Sequence, residues 1–199
     1  LNLPVEKIGG EMYELLTMAN RTTEDVFSLL DNLLKWTKSQ IGNLNVVYQD
    51  VDAVEVVDSV IDVFNMVAGL KKITIREEKP EKLPVCTDID MLKTIIRNLL
   101  SNAIKFSNEN SEVLVKMEEQ GDRVVVSVKD SGCGIDEEGL KKLLHTDTHF
   151  STFGTNNEEG SGLGLLLCQD FAVKSGGKLW FTSKKGEGST FYFSIPLKK

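Results

Sequence analysis

The sequence predicts an α+β fold: a two-layer α/β sandwich, with a mixed and mostly antiparallel sheet carrying helices on one face, preceded by one long helix. Three observations lead there. Residues 11–41 hold apolar side chains at alternating spacings of four and three. Residues 44–199 mix strand-like and helix-like stretches without strict β-α-β alternation. Two strand pairs flank short glycine turns, which demands antiparallel pairing. The 199 residues, 41% hydrophobic, suffice for one core plus an appendage, so the chain divides at 1–43 and 44–199.

In the first segment Met12, Leu16, Ala19, Thr23, Val26, Leu30, Leu33 and Thr37 form a seam, widened by Leu15, Leu29 and Trp36. A helix with so broad an apolar stripe needs partner helices. Gly42 and Asn43 are its expected stop. Next come a strand at Val46–Asp52, an amphipathic helix at Ala53–Ala68 and a strand at Ile73–Glu78, then a loop marked by Pro80 and Pro84. Asp88 is the expected cap of a helix running to Phe106. Val113–Glu119 and Val124–Lys129 read as a hairpin about Gly121-Asp122. A short helix is expected at Leu140–Leu144, an irregular polar stretch at Thr146–Glu159 and a helix at Leu163–Ser175. Lys178–Ser183 and Ser189–Leu197 form a last hairpin around Gly186–Gly188.

The net charge of −7 argues against nucleic acid as a partner, because phosphate backbones need clustered Lys and Arg. No run of about 18 apolar residues is present, and Leu1–Gly10 lacks the pattern of a signal peptide. Cys86, Cys133 and Cys168 fit no zinc or disulfide spacing, which points to a reducing, cytoplasmic setting.

Three stretches carry chemistry. Asn98, Asn102 and Lys105 recur at i, i+4 and i+7, so two amides and an ammonium share one helix face. An amide oxygen is a hard ligand suited to Mg²⁺, and Lys is a point charge for phosphate; taken alone, such a row is commonly a solvated face. Asp130-Ser-Gly132-Cys-Gly134-Ile135 follows a strand, offering either a carboxylate beside a close backbone approach or a plain turn. Gly160-Ser161-Gly162-Leu163-Gly164-Leu165 opens a helix, where exposed N–H groups suit a polyphosphate and where a simple hinge would also fit. Between the last two lies a polar segment with Phe150 and Phe153, a lid or an unstructured loop.

In this order and on these elements, the stretches resemble the N box (Asn98–Lys105), G1 box (Asp130–Ile135), F box (Phe150–Phe153) and G2 box (Gly160–Leu165) of sensor histidine kinases. Gly186-Glu-Gly188-Ser-Thr190-Phe191 is similar to the closing glycine motif. Residues 11–41, Ser28–Trp36 above all, resemble the second helix of the dimerisation and histidine-phosphotransfer domain. The resemblance implies the Bergerat ATP-binding fold shared with DNA gyrase, heat-shock protein 90 and mismatch-repair ATPases. It implies ATP and Mg²⁺ as cofactors and assigns roles. Asp130 would accept from the adenine amino group, with a water near Thr190. Gly132, Gly134 and Ile135 would line the adenine. Asn102 would ligate Mg²⁺, with Asn98 and Lys105 near the phosphates. Gly162, Leu163 and Gly164 would donate N–H groups, and residues 145–160 would form the ATP lid. That segment has no Lys or Arg, where many members carry a basic lid residue.

In the hydrolysing branches the residue four before the metal-binding Asn is a water-activating Glu. Here it is Asn98, an amide that is no base at neutral pH. A neutral imidazole attacks through its own lone pair, so Asn98 favours phosphoryl transfer to histidine. His145 and His149, the two histidines, lie in the lid segment rather than in an acceptor context. The chain is therefore expected to be a fragment that binds ATP and Mg²⁺ without phosphorylating itself. The implied partners are its own phosphotransfer domain, a response-regulator receiver and a second copy through the N-terminal helices, in the cytoplasmic portion of a membrane-bound sensor. Two other functions remain open: an ATP-gated interaction module without transfer, and an ATPase of the gyrase or chaperone type.

Overall fold

The computed structural model describes residues 10–41, 45–144, 155 and 162–198. The chain divides into two compact units, 1–43 and 44–199. The described part of the first is one helix, α1 (Gly10–Gln40), and the turn at Ile41. Its seam lies open: Met12, Leu16, Val26, Leu30 and Leu33 are all exposed, as are Leu15, Phe27 and Leu34. The two seam threonines turn their hydroxyls back into the helix, Thr23 to the Ala19 carbonyl at 2.8 Å and Thr37 to the Leu33 carbonyl at 2.7 Å. Their polar groups are thus satisfied within the helix itself. Gly42, Asn43 and residues 1–9 lie outside the described residues.

The second unit runs β1 (Gln49–Asp52), α2 (Ala53–Leu70), β2 (Thr74–Glu78), β3 (Pro84–Thr87), α3 (Ile89–Phe106), β4 (Glu112–Gln120), β5 (Arg123–Lys129), α4 (Glu137–Leu144), α5 (Leu163–Lys174), β6 (Lys178–Lys184) and β7 (Gly188–Pro196). The main sheet has the order β2-β4-β5-β7-β6; β2 and β4 are parallel and every other pair is antiparallel. Alternation selects one face for burial. Val113, Val115 and Met117 on β4, Val124, Val126 and Val128 on β5, and Phe191, Phe193 and Ile195 on β7 are buried. The core also takes Val57, Val60 and Ile61 from α2, Leu92, Ile95, Ile96, Leu99 and Leu100 from α3, and Leu167 and Phe171 from α5. On the other face Trp180 stacks on Tyr192 with ring centroids 5.3 Å apart.

Aspartates start both long helices. Asp52 accepts from Val54 N and also from Leu83 N. Asp88 Oδ1 accepts from Asp90 N and Met91 N, as its place in the sequence predicts, while Oδ2 takes Val47 N at 2.8 Å. That last bond explains one correction. The strand expected over Val46–Asp52 starts only at Gln49, because Val47 spends its N–H on a helix cap rather than on a neighbouring strand. A second correction concerns the proline stretch. Pro84 opens β3, which pairs antiparallel with β1 in a separate two-stranded sheet. Proline is compatible with the first position of a short edge strand. The α4 helix starts three residues earlier than expected, since Asp136 Oδ1 accepts from Gly139 N and its carbonyl from Leu140 N.

Candidate active site

Helix α3 presents Asn98, Asn102 and Lys105, each half-buried, above a buried underside of Leu99, Leu100, Ala103 and Ile104. Asn98 donates its amide N–H to the Thr94 carbonyl at 2.9 Å. Its oxygen faces Gly164, where an added β-carbon would stand 2.6 Å away. The first and third stretches singled out in the sequence therefore touch. Asn102 forms no side-chain hydrogen bond to any described residue. The Lys105 ammonium lies over the Phe106 ring, 5.1 Å from its centroid.

The second stretch closes against the end of the same helix. Cys133 N donates to the Phe106 carbonyl, and a side chain at Gly132 would overlap that oxygen. Gly134 has φ +60 and packs on the Lys184 carbonyl, while Gly186 N donates to the Cys133 carbonyl at 2.7 Å. Ile135, half-buried, donates its N–H to Ser183 Oγ. Asp130, 4% exposed, directly follows β5. Its Oδ1 accepts from Gly132 N at 2.9 Å and Ser189 N at 3.2 Å. Burial pushes its carboxyl above the usual aspartate range, and the two backbone donors partly offset this. Thr190 pairs with Lys129 on the adjoining strand, one residue before Asp130.

Gly162 caps α5 in a left-handed conformation, φ +68, and brings no side chain to cap the helix. The positive end of the dipole is thus presented beside Asn98. Leu163 is buried, and Gly164 and Leu165 are half-buried. Phe150, Phe153, Gly160 and Ser161 lie outside the described residues, as do His145 and His149. From the polar segment Thr155 is described. Its N–H donates to the Lys105 carbonyl at 3.2 Å, and its hydroxyl lies 2.8 Å from the Ser107 carbonyl.

Sequence reasoning overlooked Ser189 and Ser183. Both sit at the closing turn, where Ser189 supplies an N–H to Asp130 and its hydroxyl meets that of Ser183 at 2.9 Å. The Gly-Glu-Gly-Ser-Thr spelling marked the turn; which of its residues faces the aspartate depends on a register that only the β5–β7 pairing sets.

The residues present fit a nucleotide and its metal. Asp130 is a buried acceptor held by backbone donors, beside a glycine floor with no room for a β-carbon. For the metal, no group of three His, Cys, Asp or Glu stands together among the described residues. A lone hard amide oxygen on Asn102 suits Mg²⁺ that arrives on phosphate oxygens and keeps waters, the usual habit of that ion.

The sequence profile of histidine kinase-, DNA gyrase B- and HSP90-like ATPases matches residues 87–199, and the chain belongs to that family. Its relatives include proteins named as sensor kinases, and the chain carries the ATP-binding catalytic domain of that class. The adaptive-response sensory kinase SasA of Crocosphaera subtropica is 28% identical over 196 residues, covering 98% of this chain and 51% of the relative. The sensor histidine kinase WalK of Bacillus subtilis is 27% identical over 186 residues, covering 92% of this chain and 30% of WalK. The chain thus spans about half or less of these relatives' lengths. Among solved structures, the catalytic domain of histidine kinase ThkA matches with a TM-score of 0.66 at 29% identity, over 76% of this chain and 96% of that one. Full-length ShkA in complex with AMPPNP matches with a TM-score of 0.75 at 23% identity, over 97% of this chain and 40% of that one, a likeness of fold.

Proposed function

We propose that the site holds Mg²⁺-ATP between α3 and the N-terminus of α5 and delivers the γ-phosphoryl group to a histidine of the parent protein's own phosphotransfer domain. The acceptor nitrogen's lone pair forms the new bond to phosphorus, the bond to the β–γ bridging oxygen breaks, and ADP leaves with that electron pair. The imidazole proton passes to solvent. The phosphoryl group then goes to an aspartate of a response-regulator receiver. Asp130 accepts from the adenine amino group, Thr190 lies near its bridging water, and Gly132, Gly134 and Ile135 form the adenine wall. The Lys105 ammonium and the N–H groups of Gly162, Leu163 and Gly164 meet the phosphates, with Asn98 near them; Gly160, Ser161 and Leu165 belong to the same glycine-rich stretch, and Phe150 and Phe153 to the lid segment. Magnesium supplies charge neutralisation when bound, through Asn102. Catalysis is positioning plus electrostatics, since this domain needs no base for an imidazole nucleophile. The parent protein works on the cytoplasmic side as a homodimer through its N-terminal helices. Among the described residues no helix is long and apolar enough to cross a membrane.

The observation that carries this reading is Asn102. A half-buried amide with no hydrogen-bond partner among the described residues, in one row with Lys105 and with Asn98, whose oxygen meets Gly164 in the first turn of α5, suits a cation and its phosphates. Calorimetry tests it. Mg²⁺-ATP binds the chain, Asn102→Ala loses at least about tenfold, and Asp130→Ala does the same through adenine. Unchanged affinity in both variants overturns the reading. Mixing the chain with a separate acceptor-helix protein and labelled ATP then separates transfer to histidine from release of free phosphate, the outcome expected of a gyrase-like ATPase. Binding with neither marks an ATP-gated module.

A further inference from the structure

Lys71 is a charged side chain only 7% exposed, at the C-terminal cap of α2, far in sequence from every motif above. Its ammonium donates to the Ile104 carbonyl at 3.0 Å, the Lys105 carbonyl at 2.9 Å and Thr155 Oγ1 at 2.6 Å. An ammonium has three hydrogens to give, and these three acceptors are among the groups that it meets. Two of them are carbonyls of the last turn of α3, which lack intrahelical partners and carry the negative end of the helix dipole. The third is the hydroxyl of Thr155, which in turn lies against the Lys105 and Ser107 carbonyls.

That last turn is where the nucleotide site is assembled. It carries Lys105 itself, and one residue on, the Phe106 carbonyl receives Cys133 N and packs against Gly132. We propose that Lys71 and Thr155 together form a positioning clamp for nucleotide binding, fixing the C-terminal turn of α3 so that Lys105 and the Asp130 loop hold their registers at once. A buried lysine used only for packing would be replaceable by an apolar side chain of similar volume, often with gain. Here the charge answers carbonyls that no other described side chain reaches with a cation. The proposal rests on reading the site as a nucleotide site, and Asn102→Ala separates the two.

The test compares Lys71→Met, Lys71→Arg, Thr155→Val and Thr155→Ser in the full chain by Mg²⁺-ATP and ADP calorimetry, well below the melting temperature of each. Thr155 is exposed, so its variants fold whatever becomes of Lys71→Met. Thr155→Val weakens ATP binding by about threefold to tenfold, in keeping with loss of a charge-assisted bond, and Thr155→Ser restores it. Lys71→Met weakens it by about tenfold or more, Lys71→Arg recovers part, and the double variant Lys71→Met/Thr155→Val is no worse than Lys71→Met. Parent-like affinity in Thr155→Val and Lys71→Met, with only the melting temperature lowered, overturns the clamp while the Asn102→Ala result stands. A parent chain that binds no nucleotide overturns both.

Discussion

Asp130 illustrates a residue kept at a cost. Burial holds its folded pKa above the ordinary aspartate value of 3.8. The sign of the pH effect follows. At pH below that ordinary value both folded and unfolded chains are protonated there, and the group is neutral to stability. As pH rises, the unfolded chain ionises first and binds fewer protons than the fold, so stability falls until the folded carboxyl ionises too. Beyond that the penalty is constant. Asp130→Asn keeps an acceptor oxygen for Gly132 N and Ser189 N but cannot ionise. Urea unfolding therefore finds the variant more stable than the parent at neutral pH, with the advantage vanishing at acid pH, while its ATP affinity falls. Lys72 offers the opposite case. It adopts φ +56 directly after the α2 cap, where Ile73 N closes on the Ala68 carbonyl and glycine is the usual occupant. Lys72→Gly is expected to stabilise by roughly 0.5–1 kcal/mol in the same assay, with nucleotide affinity unchanged.

At the scale of elements, what could be read in advance was whatever a local rule decides. Asp88 as a cap, the Gly121 turn between paired strands, and the apolar row beneath Asn98 and Asn102 all follow from spacing and side-chain chemistry within one element. What escaped required a distant partner. The β1–β3 pair exists because Asp52 meets Pro84 and Gln49 meets Thr87, a register that nothing local announces. Asp130's second donor, Ser189, lies 59 residues away. Lys71 carries no local motif, and its role depends on carbonyls more than 30 residues on. Asp88 joins both kinds. Its cap was legible, but its grip on Val47 N was not, so Asp88→Ala strips three N–H partners. A loss of about 2 kcal/mol is expected from chemical denaturation, above the typical single cap. A loss well under 1 kcal/mol would mean that water replaces the carboxylate at no cost.

At the scale of the molecule, the two units differ in how their apolar surface is satisfied. Unit 44–199 buries its own: the inward residues of β4, β5 and β7 meet α3 and α5, and the site residues stand on that frame. Unit 1–43 leaves its seam exposed, including Met12 at 55% and Leu16 at 51%. A stripe of that length cannot stay in water as a stable lone helix, and the back-bonded threonines remove the main polar obstacle to packing it against another helix. Charge does not prevent this, because Asp31 and Lys35 pair along the helix at 2.7 Å. The whole chain is thus expected to self-associate, with light scattering giving a mass that rises from monomer toward dimer as concentration increases. Deleting residues 1–43 leaves a concentration-independent monomer that melts and binds Mg²⁺-ATP like the parent, since every contact around Asn102, Lys105 and Asp130 described above lies within 44–199. If the truncated chain instead loses nucleotide affinity, the helix contributes to the site. If the full chain remains a monomer at all concentrations, α1 finds its cover within the same molecule, and the proposed dimerisation through these helices fails.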